Sequence, residues 1–152
     1  MHVRSLRRGD VSAVMEAAHL FDEPPDETAV RDYLRDPRNL FLVAWDGGRP
    51  VGFLRGTALR QLKSRHKQFF LYEIAVAESR RRRGVGAALI RALLRFCRDG
   101  DFDEVFVFTD DPHNLAAERL YRSTGAMTET AGDRMYVYRI SGRSNVAPNP
   151  GD

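Results

Sequence analysis

The sequence holds a single cysteine, Cys97, so no disulfide can close within the chain. It has no apolar run near the roughly 20 residues that a membrane-spanning helix needs. The opening Met1-His2-Val3-Arg4-Ser5 is followed by no apolar signal region. These absences disfavour secreted, disulfide-stapled and membrane-spanning classes, and the expected location is the cytoplasm. No set of His, Cys, Asp and Glu has the spacing of a metal site, so no metal is expected. His19 and His66 have no evident partners, and His113 reads as a loop histidine. No internal repeat occurs. Residues 141–152 are rich in Gly, Asn, Pro and Ser without apolar period and read as a disordered tail. What remains, residues 1–140, suits one domain with a real core.

The charge is modest, +3, but unevenly placed. Arginines gather at 80–83 and a second basic segment runs over 60–67. Acids gather at Asp22, Glu23, Asp26 and Glu27, and again at Asp99, Asp101, Asp103, Glu104, Asp110 and Asp111. A protein that holds one anionic and one cationic ligand would look like this, and so would an ordinary mixed surface.

The most informative stretch runs from Phe69 to Arg98. A β-branched and aromatic run, 69–77, meets a basic turn, 80–83, then Gly84-Val85-Gly86-Ala87, then a helical pattern. Val85, Leu89, Ala92, Leu93 and Phe96 mark one face of that helix, widened by Ile90, Leu94 and Cys97. Cys97 therefore reads as a small buried hydrophobe. Asp99-Gly100 ends the helix. This order sets unpartnered backbone N–H groups, a positive helix end and the arginine forks of Arg81, Arg82 and Arg83 at the mouth of a strand. Phosphate binds in such a place. The bland alternative is a solvated arginine run before a glycine-opened helix.

Around it, residues 3–6 predict a strand, and Asp10 or Ser12 caps a first helix with Val11, Val14, Met15, Ala18 and Phe21 on one side. An acidic, proline-broken corner follows, and Asp26 caps a second helix with Val30, Tyr33 and Leu34 inward, stopped at Asp36-Pro37. Residues 40–45 and 51–59 read as a hairpin with a glycine turn. The segment 60–68 reads as an exposed loop. Residues 104–109 predict a strongly buried strand, a parallel neighbour of 69–77 across the intervening helix. A last helix starts near Asn114 and closes at Gly125, and 134–140 predicts a final strand.

Two motifs in this frame resemble the GNAT superfamily of acyl-CoA-dependent N-acetyltransferases. One is Arg81-Arg82-Arg83-Gly84-Val85-Gly86, matching the superfamily's Arg/Gln-x-x-Gly-x-Gly/Ala signature. The other is the closing helix, Asn114-Leu115-Ala116-Ala117-Glu118-Arg119-Leu120-Tyr121-Arg122-Ser123-Thr124-Gly125-Ala126, where the superfamily often carries Phe after the glycine. The resemblance covers residues 2–140. It implies an α/β fold with a mixed sheet of six to seven strands flanked by four helices, in the order strand, two helices, three strands, helix, strand, helix, two strands. Within the superfamily the chain looks most like the aminoglycoside 3-N-acetyltransferases, on Leu20-Phe21-Asp22, Tyr72-Glu73-Ile74-Ala75-Val76 and Asp110-Asp111-Pro112.

That resemblance implies acetyl-CoA as co-substrate, lying between strands 69–77 and 104–109. Its pyrophosphate would rest on Arg81, Arg82, Arg83, Gly84, Val85, Gly86 and Ala87. Its arm would pair with Ile74, Ala75 and Val76, and Asn114 and Ala117 would flank it. Glu73 is then the candidate base, and strand alternation sets it on the face of Leu71 and Ala75, opposite Tyr72 and Ile74. The alternative for Glu73 is a structural ion pair with a nearby arginine. Tyr121 is the candidate acid for the leaving thiolate, or else a core aromatic. Asp22, Glu23, Asp110 and Asp111 would hold a polycationic amine, the 3-amino group of an aminoglycoside, as in antibiotic resistance; Asp111 is equally a helix cap. The rivals are a GNAT acting on a polyamine, an amino-acid derivative or a protein amine, a nucleic-acid binder using the basic runs, and a CoA-binding module without catalysis. No nucleic-acid or membrane partner is expected, and strand 134–140 offers an edge for a homodimer.

Overall fold

A computed structural model describes residues 1–62, 64–109 and 115–127. Along the chain come β1 (His2–Ser5), α1 (Val11–Glu16), a 3-10 turn (Ala18–Leu20), α2 (Glu27–Arg35), β2 (Asn39–Asp46), β3 (Arg49–Arg60) and β4 (Lys67–Val76). A second 3-10 turn (Glu78–Arg80), α3 (Val85–Asp99), β5 (Glu104–Val107) and α4 (Leu115–Ser123) follow. The final strand at 134–140 and the tail at 141–152 lie outside the described residues, as do Asp110, Asp111, His113 and Asn114. Among the described residues the sheet has five strands in the order β1-β2-β3-β4-β5. The first three pairings are antiparallel, and β4 pairs with β5 in parallel.

Strand β2 is covered on both faces, and its alternation sorts the core in two. Leu40, Leu42 and Ala44 pack toward α3 with Val85, Leu89, Ile90, Leu93 and Cys97. Phe41, Val43 and Trp45 pack on the other face with Ala13, Val14, Val30 and Phe53. Burial alone, at about 1.5–3 kcal/mol for each such side chain, accounts for the holding of α1, α2 and α3 to the sheet. Phe21, beyond the 3-10 turn, stacks on Phe53 with ring centroids 4.2 Å apart and closes the second core.

Local signals explain most boundaries. Asp26 caps α2 by accepting the Ala29 N–H at 2.8 Å. Gly47 and Gly48 both have positive φ, as a two-residue hairpin turn requires. Asp10 behaves differently from expectation. It caps no helical N–H; its carboxylate accepts the Arg7 N–H at 2.8 Å and ties Arg4 at 3.3 Å, bracing the loop before α1. The end of α3 also differs. Gly100 has φ −91°, and the left-handed residue is Asp101, after which Phe102 N–H bonds Cys97 C=O at 2.9 Å. Phe102 then lies against Phe96, so the helix is closed by a hydrophobic contact as well as by its carbonyls.

Three further expectations change. Phe96 is 38% exposed, at the margin of the helix face. The basic loop is shorter than 60–68, because β3 reaches Arg60 and β4 resumes at Lys67. β5 is half-buried and ends at Val107, with Phe108 exposed.

Candidate active site

The parallel ladder joins Gln68–Glu104, Phe69–Val105, Phe70–Phe106 and Leu71–Val107, and stops there. Strand β4 continues to Val76 with β3 as its partner, so its other edge opens onto a gap. Ala77 N–H donates to Val51 C=O at 2.9 Å. Backbone direction alternates along a strand, so the N–H and C=O of Ile74 and Val76 point away from β3, into that gap. Arg81 Nε reaches the Val76 carbonyl at 3.4 Å from that side.

A bulge lies where the strands part. Arg55 is the partner of Glu73 and Gly56 of Leu71, which leaves Tyr72 as an extra residue. The bulge corrects the simple alternation. Leu71 and Ile74 share the α3 face, Ala75 packs on the opposite core, and Glu73 shares the side of Tyr72. Counting by twos from Leu71 fails because a bulge sends two consecutive side chains the same way. Gly56 makes the bulge possible. A Cβ there would lie 2.3 Å from the Phe70 carbonyl oxygen and 2.5 Å from the Phe69 ring.

Glu73 is ion-paired: Arg55 Nε donates to its Oε2 at 2.6 Å. The Arg55 guanidinium carbon stands 4.3 Å from the Tyr72 ring centroid and 5.8 Å from that of Tyr33. Tyr33 Oη donates to Gly56 C=O at 2.7 Å and Leu40 C=O at 3.2 Å. Burial pushes the Tyr33 phenol up to about 12, against the lowering effect of nearby Arg55 and the Gly56 carbonyl bond.

Past β4, Arg80 is tied to Asp46, and Arg81 and Arg82 face the gap. Arg82 (φ 58) and Gly84 (φ 79) are both left-handed, which curls the chain into the start of α3. Among the described residues no side chain caps that helix. Ala88 N–H is the first to bond within it, to Gly84 C=O at 2.9 Å, so the N–H groups of Val85, Gly86 and Ala87 face outward unpartnered by the helix. Gly86 has a second duty. A Cβ there would meet the Leu120 side chain at 3.0 Å, so its absence lets α4 close on α3.

These elements enclose a cleft of about 960 Å³. Glu73, Ile74, Ala75 and Val76 line one wall, Arg81, Arg82 and Gly84 through Ala87 the next, and Ala116, Ala117, Arg119, Leu120 and Ser123 of α4 the third. Asp22 closes the end beside Leu20. Of the residues expected from sequence, Glu23, Arg83 and Tyr121 are not among those that line it. Tyr121 packs against the α3-side core, and burial raises its phenol. Leu120 faces the cleft, and the next helical residue is turned from it by about 100°. Asp110, Asp111 and Asn114 lie outside the described residues. Sequence reasoning missed Arg55, Leu20, Ala116, Arg119, Leu120 and Ser123. Ala116, Leu120 and Ser123 follow one another at helical spacing, a signal present in the chain; Arg55 carries none, because its pairing depends on the bulge.

The free edge of β4 and the bare N–H groups of α3 fit an extended ligand that ends in phosphate. Fold and cleft thus define the class of α/β folds whose mixed sheet splays open beside a glycine-opened helix. The chain belongs to the acetyltransferase (GNAT) family, whose profile matches residues 11–126. That family uses acetyl-CoA.

Among relatives, the N-alpha-acetyltransferase RimI of Mycobacterium tuberculosis is 32% identical over 143 residues, covering 92% of this chain and 85% of that protein. Rat N-acetyltransferase 8 is 33% identical over 79 residues, and the match spans 36% of its length. Among solved structures, an aminoglycoside acetyltransferase from an uncultured soil metagenomic sample, in complex with trehalose, superposes with a TM-score of 0.82 at 26% identity. That match covers 91% of this chain and 96% of the other. A complex of that protein with sisomicin gives 0.81 at 25%. Among the described residues no helix is long and apolar enough to cross a membrane, and no group of three or more His, Cys, Asp or Glu could hold a metal.

Proposed function

We propose that the protein is an acetyl-CoA-dependent N-acetyltransferase whose acceptor is an amine of an aminoglycoside, the 3-amino group being the position implied by resemblance. The observation that carries the chemistry is the open edge of β4, which runs from Glu73 at the bulge to the glycine corner before α3. In this reading Ile74 and Val76 bond the amides of the co-substrate arm, and their outward N–H groups offer a donor to the thioester oxygen. Arg81, Arg82 and the N–H groups of Val85, Gly86 and Ala87 hold the pyrophosphate. The small side chains of Ala116 and Ala117 leave room for the arm on the α4 side.

Glu73 takes the proton that the amine must lose to attack, directly or through a water. Tyr121 packs on the α3-side core one position from the cleft-lining Leu120, and in this reading its phenol turns to the cleft to give its proton to the departing thiolate. A buried phenol whose pKa is raised stays protonated at neutral pH, which suits a donor. Asp22 at the cleft's end attracts a cationic acceptor, and the likeness to the soil aminoglycoside acetyltransferase supports that acceptor class. The RimI relative supports a second reading, transfer to a protein α-amine.

Thiol release from acetyl-CoA, measured with sisomicin, gentamicin, spermidine and an alanine-ended peptide, separates these readings. Release with the sugars and not the peptide is the expected result; the reverse transfers the assignment to protein amines. Burial pushes the Cys97 thiol up to about 11, so the protein's own sulfur contributes little to the readout. Glu73→Gln is expected to lose about 100-fold or more in kcat, as for removal of a general base. Tyr121→Phe with unchanged kcat would return that side chain to a purely structural role.

A further inference from the structure

We infer that Arg55 is a positioning residue for acetyl transfer, holding Glu73 by one carboxylate oxygen so that the other faces the acceptor amine. This rests on the reading of Glu73 as base. Arg55 Nε binds Oε2 at 2.6 Å, and among the described residues Oε1 has no hydrogen bond. The guanidinium is itself immobilised. Tyr72 covers one side at 4.3 Å and Tyr33 stands at 5.8 Å, while Tyr33 is bonded through Oη to the carbonyls of Gly56 and Leu40. A cation between aromatic rings and a carboxylate loses most of its rotamer freedom.

The groups around Glu73 come from three elements: Arg55 from β3, Tyr72 from β4 and Tyr33 from α2, and Arg55 is the one cation among these three. The ion pair is about 28% exposed on each side, and such a pair adds at most about 1 kcal/mol to stability. A fixed base adds far more to a reaction, since misplacing a catalytic group by about 1 Å costs about 100-fold. Magnitude therefore favours orientation as the use of this pair.

A double-mutant cycle tests it, with turnover measured on whichever of sisomicin or the alanine-ended peptide the wild type acetylates. R55M is expected to lower kcat by about 30- to 100-fold with KM for acetyl-CoA within about twofold, because Arg55 is remote from the phosphate corner. R55K keeps the charge without the fork and recovers part of the loss. In the Glu73→Gln background, R55M should cause little further loss, because a residue acting through Glu73 has nothing left to orient. Equal fold losses in both backgrounds would overturn the inference, as would wild-type turnover in R55M. If R55M does not fold, the same cycle is read with R55K. Wild-type turnover in Glu73→Gln alone would instead remove Glu73 as base, and this inference with it; an inactive Glu73→Gln beside an unaffected R55M removes the inference alone.

Discussion

Replacing Gly56 by alanine should damage both stability and turnover, for one geometric reason. The added methyl would lie 2.3 Å from the Phe70 carbonyl oxygen and 2.5 Å from a carbon of the Phe69 ring, whereas ordinary contact begins at 3.4 Å. Strand β4 must therefore retreat by about 1 Å, or Phe69 must leave a position where it is fully buried. Overpacking of this kind costs about 1–3 kcal/mol. Weakening one or two ladder bonds adds about 1 kcal/mol each. The gain from a stiffer unfolded chain returns at most about 1 kcal/mol. The net expectation is a loss of about 2–4 kcal/mol, or about 10 °C in Tm for a chain of this length. Because the bulge aims Glu73, turnover at a temperature where the variant stays folded should fall by about 100-fold. Thermal unfolding followed by circular dichroism, beside the thiol-release assay, reads both effects. Gly9→Ala is the internal control, since a Cβ there meets nothing within 4 Å and should change stability by less than about 0.5 kcal/mol. A Gly56→Ala protein that melts within about 2 °C of wild type would refute the claim that the bulge requires this glycine.

Two other perturbations separate the walls of the cleft from its floor. Gly86→Val pushes on Leu120, already 3.0 Å from an added Cβ, and should raise KM for acetyl-CoA by about tenfold; combining it with Leu120→Ala should recover much of that loss, and no recovery would mean that helix spacing is not the cause. Tyr33 titrates near 12 when folded and near 10 when unfolded, chiefly through burial. A raised folded value means a contribution fully present below pH 10 and lost as pH climbs from 10 to 12. Two units correspond to about 2.7 kcal/mol, cut to about 1–2 kcal/mol because the ring is only half-buried. Urea midpoints from pH 9 to 12 should show that decline in wild type and lack it in Tyr33→Phe, which at neutral pH is itself weaker by about 1–2 kcal/mol for the lost bonds to Leu40 and Gly56.

What was legible in the chain was mostly local. Asp26 caps α2 through an N–H three residues away, Gly47-Gly48 supply the left-handed pair of a tight hairpin, and Gly84 opens α3 with positive φ. Each is decided within a few residues, so composition and order suffice. The parallel β4–β5 pairing followed from an intervening helix. What failed to be legible depends on register. A single extra residue at Tyr72 reverses which face the following side chains take, and no apolar pattern announces it because Tyr72 and Glu73 both look acceptable on a half-covered face. Arg55 was invisible for the same reason. Tyr121 was read from a motif, while its packing depends on the phase of α4, which Leu120 against Gly86 sets.

The two-sided sheet gives these local facts a common consequence. Ile74 and Val76 send side chains to the α3 core while their backbone groups line the gap, so that part of β4 is rigid yet open at its edge. Ala75 packs on the α1–α2 core, where Phe21 and Phe53 stack, and Glu73 emerges beside it. A co-substrate lying along the edge and an acceptor approaching from the α1–α2 side would therefore meet at the bulge and nowhere else on the strand. The separation of β4 from β5 beyond Leu71 is what makes room for both, and the pairing of Arg55 with Glu73 lies at that same point. A variant that healed the bulge by deleting Tyr72 would restore regular alternation while Glu73 kept its side, opposite Leu71 and Ile74 and beside Ala75. The Arg55–Glu73 register would survive and the Tyr72 ring beside the Arg55 guanidinium would be lost. Such a deletion should therefore leave the domain folded by circular dichroism and lower turnover through a looser ion pair; an unfolded variant would refute this account of the bulge.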